Sequence, residues 1–358
     1  AVAATTNSSS ITFDKTATII TDVLLDLVDA SDTGTCDGCD TDNLTSHTTP
    51  EFQITGLRPN LAGGTKDAVG DSIFFYVDGV KTDLADGKAG GVPISGTLNL
   101  ELSTLSNQEL AYDIKIISRD QAGNLSEFSN SISIRIDTDE PAAPGAPNLK
   151  TSDDSGFSGF DNITNVQTPE FFVYDGTTDR DSIRIFYNIG EGGDNVLAGG
   201  FRKIDNQLSG YYKLPNALSG DTYTFSATAV DSAGNQSAEG PGLQVTIDVT
   251  GSDRPSRPDL LRTYDSGSDS TDDITNLSTI AFRVTGLTAG DSLKIKNSAG
   301  EVVAQELLTG TSSNPTVYAA TTSTYTAETV DVAGNVSLVS DGLDVTIDQT
   351  APVVTAIR

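Results

Sequence analysis

Asp120-Gln-Ala-Gly-Asn124-Leu-Ser126 returns as Asp231-Ser-Ala-Gly-Asn235-Gln-Ser237 and again as Asp331-Val-Ala-Gly-Asn335-Val-Ser337. The intervals, 111 and 100 residues, are those of a whole domain of immunoglobulin size, not of a solenoid turn. Working outward, a strand opening precedes each copy: Gly70-Asp-Ser-Ile73, Arg180-Asp-Ser-Ile183 and Gly290-Asp-Ser-Leu293. A strand ending in Ile-Asp follows each, at Ile136-Asp137, Ile247-Asp248 and Ile347-Asp348, and Phe13-Asp14 holds the same place ahead of the first. Farther upstream lies an acidic loop. Asp32-Thr-Gly34 leads to Asp42-Asn-Leu-Thr45 and Thr49-Pro-Glu-Phe52, and Asp154-Ser-Gly156 leads to Asp161-Asn-Ile-Thr164 and Thr168-Pro-Glu-Phe171. Asp265-Ser-Gly267 leads to Asp272-Asp-Ile-Thr275.

Between these phrases run short β-branched or aromatic stretches broken by Gly, Asn, Asp and Ser, with no helical period. Alternations such as Leu243-Gln-Val-Thr-Ile247 argue against the disorder that low hydrophobicity with high charge otherwise signals. The predicted fold is all-β: tandem immunoglobulin-like sandwiches end to end, at residues 15–138, 139–248 and 249–348. Residues 1–14 read as the end of a preceding repeat and 349–358 as the start of the next. Such arrays span distance or display surfaces, so no enzymatic activity is expected.

Fifty acidic residues against 21 basic leave a formal net charge of -29. That balance excludes nucleic acid as a partner, because phosphates are repelled and no basic stripe exists. It disfavours anionic membranes too, and no apolar run is long enough to span a bilayer. A compact chain this acidic repels itself unless cations neutralise it, and Ca²⁺ held by oxygen ligands is the natural remedy.

Cys36 and Cys39 lie in an insertion that sets Asp32 and Asp42 farther apart than Asp154 and Asp161. They read as a small disulfide stapling the loop if the protein is exported, or as two idle thiols. Zinc is not expected, since His47 is the sole histidine.

In an antiparallel seven-stranded sandwich, loops alternate between the two ends. The acidic loop, between the first two strands, and the Asp-x-Ala-Gly-Asn loop, between the last two, then fall at opposite ends. Stacking domains brings one domain's acidic loop and Ile-Asp junction against the next domain's Asp-x-Ala-Gly-Asn loop. The first boundary gathers Asp32, Asp42, Asp137 and Asp139 with Asp231 and Asn235. The second gathers Asp154, Asp161, Asp248 and Asp253 with Asp331 and Asn335. Asp120 and Asn124 face upstream, toward Asp14. Carboxylates converging without basic partners repel, and six to eight oxygens around Ca²⁺ resolve this. The competing reading is that Asp and Asn merely shape Gly-containing turns.

These phrases resemble the bacterial Ig-like repeats of giant secreted adhesins of the RTX type, exported by type I secretion. The likeness rests on residues 154–171, the Asp-x-Ala-Gly-Asn-x-Ser copies and the closing Val-Thr-Ile-Asp at 245–248 and 345–348. It is looser in repeat one, and repeat three has Thr279-Ile-Ala-Phe282 for Thr-Pro-Glu-Phe. The resemblance implies extracellular stalk domains on a bacterial cell surface, some binding Ca²⁺ near their junctions.

Gly192-Gly-Asp-Asn-Val-Leu-Ala-Gly-Gly200 is similar to a calcium-binding nonapeptide, but it occurs once and reads as a hairpin loop. Paired carboxylates for glycoside hydrolysis fit poorly, because the pairs recur in every repeat. The expected function is a calcium-stiffened stalk segment that projects a distal binding domain for cell adhesion or biofilm formation. Its partners are neighbouring repeats, with any host or cell-surface ligand bound through another domain. The rival expectation is that repeat one, with its insertion and its Gly-rich stretch at 84–96, itself binds a glycan or protein.

Overall fold

The computed structural model describes residues 23–33, 42–57, 72–82, 96–108, 110–120, 122–174, 182–189, 195–202 and 210–353. The first repeat comprises β1 (Leu24–Leu27), β2 (Leu44–Thr45), β3 (Glu51–Leu57), β4 (Ser72–Val77), β5 (Val80–Thr82), β6 (Gly96–Glu101), β7 (Tyr112–Arg119) and β8 (Ile132–Ile136). The second has β9 (Asn148–Leu149), β10 (Ile163–Thr164), β11 (Glu170–Val173), β12 (Ser182–Ile189), β13 (Val196–Arg202), β14 (Gly210–Lys213), β15 (Asp221–Val230) and β16 (Leu243–Ile247). The third has β17 (Asp259–Leu260), β18 (Ile274–Thr275), β19 (Ile280–Thr285), β20 (Ser292–Lys296), β21 (Val302–Leu307), β22 (Ser312–Ser313), β23 (Thr316–Val317), β24 (Ser323–Val330) and β25 (Leu343–Ile347).

Each repeat packs a five-stranded sheet on a smaller one. The orders are β2-β8-β7-β4-β5 on β1-β3-β6, β10-β16-β15-β12-β13 on β14-β11-β9, and β18-β25-β24-β20-β21 on β17-β19-β22, with β23 also on β19. Three separate apolar cores result, drawn from residues 23–136, 149–247 and 260–345. Period-two alternation builds them: along β8 the alternate residues Ile132, Ile134 and Ile136 are the buried side chains. The aromatic of the Thr-Pro-Glu-Phe phrase is central, since Phe171 meets Phe225 at 4.2 Å between ring centroids. Phe282 keeps that place in repeat three, 5.0 Å from Tyr325.

A tyrosine near the start of the penultimate strand turns back onto the chain in every repeat. Tyr112, Tyr223 and Tyr325 donate their hydroxyls to the carbonyls of Ser106, Ser219 and Thr321 at 2.8, 3.0 and 2.7 Å. This is the tyrosine corner of immunoglobulin-like sandwiches.

The sandwich departs from the expected antiparallel seven strands at one place. The two-residue strands β2, β10 and β18 pair parallel with the closing strands β8, β16 and β25. The cause is local. Asn43, Asn162 and Asp273 sit at φ of 60°, 59° and 56°, a left-handed conformation that Asn and Asp tolerate. That residue redirects the chain after the acidic loop onto the opposite sheet. The next Thr is then buried: Thr45, Thr164 and Thr275 are almost fully enclosed.

Candidate functional site

The Asp-x-Ala-Gly-Asn loop is a self-closing turn. Asp120, Asp231 and Asp331 accept the backbone N–H of Asn124, Asn235 and Asn335 at 2.7, 2.8 and 2.8 Å on one oxygen. Their other oxygen accepts the same asparagine's Nδ2 at 2.6, 2.9 and 3.0 Å. The glycine stands at φ near +90° in each copy, which is why no side chain replaces it. The final Ser bonds back into the preceding strand, Ser237 Oγ accepting Ala229 N–H at 2.9 Å. All three aspartates are at least nine-tenths buried.

The acidic loop has two carboxylates with distinct posts. Asp42, Asp161 and Asp272 accept the N–H two residues on, at 2.9, 3.1 and 3.2 Å, the Asx turn that local polar side chains favour. Asp32, Asp154 and Asp265 lie deeper, accepting the N–H of Asn43, Asn162 and Asp273 at 3.3, 3.2 and 3.3 Å. Oδ1 of Asp154 and of Asp265 is buried with no hydrogen-bond partner.

These two loops meet across each joint. At the first, Asn235 Nδ2 donates to Asp137 O at 2.9 Å, and Thr33 Oγ1 donates to Ala233 O. At the second, Asn335 Nδ2 donates to Asp248 O at 2.8 Å. Ser155 Oγ and Asn165 N both donate to Ala333 O there, at 2.5 and 3.1 Å. A Cβ on Gly156 would fall 1.9 Å from Val332 O, and one on Gly234 would fall 2.2 Å from Thr33 O. Backbone therefore touches backbone, and Ala233 and Ala333 are fully buried while Ala122, in the first copy, is exposed.

The contacts are thus made by neutral groups, the Asn amide on an Asp backbone oxygen and the Ser or Thr hydroxyl on the Ala carbonyl. The carboxylates stand behind them. Burial raises the Asp231 pKa, with Asp137 across the joint adding repulsion and Asn235 opposing it. Burial also raises Asp154, whose neighbour Asp161 pushes the same way. Asp139 donates its N–H to Asp137 Oδ1 at 3.1 Å, and Asp248 Oδ1 accepts from Thr250 N–H at 2.9 Å. Asp253 is exposed on the second linker. Asp14, the Cys36–Cys39 pair and residues 192–194 of the Gly192–Gly200 stretch lie outside the described residues.

Ca²⁺ asks for oxygen ligands, several of them carboxylate. The buried, unpartnered Oδ1 atoms of Asp154 and Asp265 and the repelling pairs Asp154–Asp161 and Asp137–Asp231 suit a divalent cation. Among the described residues these carboxylates do not form groups of three or more that could hold a metal ion. Carbonyls and water would have to complete any coordination shell.

Two contributors, Asp291 and Arg254, gave no lead to the joint in the sequence taken alone. Asp291, buried and pushed up in pKa by burial and then by Asp331, accepts Ser252 Oγ from the second linker. Arg254 straps that linker to Val339 O at 2.6 Å and to Asp341 at 2.7 Å. Asp291 is marked there only by its place in the Gly-Asp-Ser phrase that opens a strand in repeat three. Asp71 and Asp181, its counterparts, fall outside the described residues.

A family model described as bacterial Ig-like domain matches residues 141–249 and 253–349. No curated protein sequence matches the chain. Among solved structures, one on host cell-surface retention of a 1.5-MDa bacterial ice-binding adhesin is similar at 15% identity. It covers 91% of this chain and 98% of that one, with a TM-score of 0.28. A tetra-tandem repeat from the extending region of a large adhesion protein is 17% identical, covering 92% and 74%, TM-score 0.23. The FN1-FN3 domains of chicken CNTN1 are 11% identical, covering 85% and 96%, TM-score 0.35. Among the described residues no helix is long and apolar enough to cross a membrane.

Proposed function

Because the chain belongs to the bacterial Ig-like domain family, we propose that it is a stalk segment of a large bacterial surface adhesin whose joints are stiffened by Ca²⁺. The observation that carries this reading is the repeated joint. Asn235 bonds Asp137 O, and Asn335 bonds Asp248 O, each beneath a buried aspartate of the same loop. A contact built twice from the same residues fixes how successive sandwiches meet, which a spacer needs and a catalyst does not.

Calcium would be held by carboxylate pairs, Asp154 with Asp161, Asp137 with Asp231 and Asp291 with Asp331, with carbonyls and water completing each shell. What the ion supplies is charge neutralisation at carboxylates that repel one another, of which Asp137 also meets Arg135 at 3.4 Å. The chain's own groups do the rest. Asn235 and Asn335 orient the joint, Gly156 and Gly234 let the loops close, and the Ser and Thr hydroxyls align them. The segment's role is then reach on the outside of the cell, with adhesion or biofilm formation assigned to a distal domain.

Titration calorimetry of the chelator-stripped chain with CaCl₂ tests this. Saturable binding, weakened at least tenfold by Asp154→Asn or Asp331→Asn, is expected. No heat of binding at millimolar Ca²⁺ sinks the calcium part and leaves a purely hydrogen-bonded stalk.

A further inference from the structure

Repeat one carries a cleft whose walls do not make the joint contacts described above. It has a volume of ≈ 510 Å³, and its walls include Ser31, His47, Thr48, Thr49, Glu51 and Glu101. Its wall residues include no Phe, Tyr or Trp, so recognition there rests on charge, hydroxyl groups and the His47 imidazole.

The other repeats show what is missing from it. Glu51 on β3 stands directly opposite Glu101 on β6. The equivalent pair in repeat two is Glu170 opposite Lys213, and Lys150 also bridges Glu170 with its ammonium. Position 28 corresponds to Lys150, because Val28 N–H bonds Glu51 O as Lys150 N–H bonds Glu170 O. Repeat one therefore has Val for one lysine and Glu for the other. Two like charges remain directly opposite across a ladder, roughly 5 Å apart at Cβ, an arrangement that is destabilising by itself. Space opens beside them as well. Ser31 Oγ accepts the Glu51 N–H at 3.0 Å where the larger Asp153 accepts the Glu170 N–H. Repeat three has Tyr264 in the same turn, by the same bond to the residue three before.

We propose that this cleft receives a primary ammonium group from outside, of the class presented by a lysine side chain of a partner protein. The ammonium takes the place that the Lys150 ammonium fills on Glu170 in repeat two, between the Glu51 and Glu101 carboxylates. Thr48 and Thr49 offer hydroxyls to the polar groups around it. The site borders the first joint, since Ser46 at its edge bonds Thr33, which reaches Ala233. It does not depend on the calcium reading.

The test is amide NMR on the isotopically labelled full chain in EGTA, titrated with Nα-acetyl-lysine methylamide. Saturable shifts at Thr48, Thr49 and Glu51 are expected. The Nε-acetylated probe, which has lost its charge, should shift none of them. Glu101→Lys, which recreates the repeat-two pairing, should weaken binding at least tenfold with an otherwise unchanged spectrum, and Glu101→Gln should weaken it less. Equal shifts from the acetylated probe would overturn charge recognition. Shifts from glucosamine or CaCl₂ but not from the lysine probe would overturn the ligand class, and silence from every probe would remove the site.

Discussion

Asn335 of the third sandwich donates its Nδ2 to the backbone oxygen of Asp248, the residue that closes the second sandwich, at 2.8 Å. The same nitrogen is shared with the Asp331 carboxylate at 3.0 Å, so one amide ties a domain's own loop to its neighbour. Asn335→Ala should remove both bonds. About 1–3 kcal/mol is the expected cost, since a buried acceptor is left unpaired. The check is a lowered urea midpoint for repeat three, with repeat one unchanged.

Glycine substitutions separate joint closure from backbone strain. Gly156 and Gly267 hold equivalent places at φ +102° and +115°, but a Cβ meets Val332 O at 1.9 Å in the first and open space in the second. Gly267→Ala should cost on the order of 1 kcal/mol from conformation alone. Gly156→Ala should add displacement of the joint, seen as a changed inter-domain distance by paired spin labels on repeats two and three. Equal distances in both variants would remove the close packing from the account.

The pH dependence should change sign with calcium. Asp154, Asp231 and Asp291 all have pKa values raised chiefly by burial. A carboxylate raised in the folded state holds its proton more tightly there, so stability falls as pH rises through the folded value. The chelated chain should therefore melt at higher temperature as pH drops from 7 toward the ordinary carboxylate value of 3.8. Asp113, held low by its bond to Lys115, acts only below that range. With Ca²⁺ present, protons compete with the ion, and melting temperature should fall over the same window.

The cores are separate, so their damage should be too. Phe225→Ala removes the partner of Phe171 at 4.2 Å and should cost about 3–5 kcal/mol. Calorimetry should show the transition of repeat two collapsing while that of repeat three persists.

Much of this was legible in the chain because the repeats spell out their backbone. The glycine at φ near +90° and the Asp–Asn pair around it are written as Asp-x-Ala-Gly-Asn, and the meeting of opposite-end loops follows from strand parity. The parallel strands β2, β10 and β18 were not legible, because two residues are too few to show a period. The groups at the joint were legible in part. Asn235 and Asn335 were placed against Asp137 and Asp248, which they bond through the backbone oxygen, whereas Thr33, Ser155 and the Ala carbonyls that complete the contacts were not read. Small neutral residues give no compositional signal, so only their positions in the fold reveal them.

Small-angle X-ray scattering of the full chain in CaCl₂ and in EGTA tests the central claim most directly. Stiff joints predict a longer maximum dimension and a narrower distance distribution with Ca²⁺, with Asp154→Asn and Asp331→Asn erasing the difference. Identical scattering curves in the two buffers would contradict a calcium-stiffened stalk.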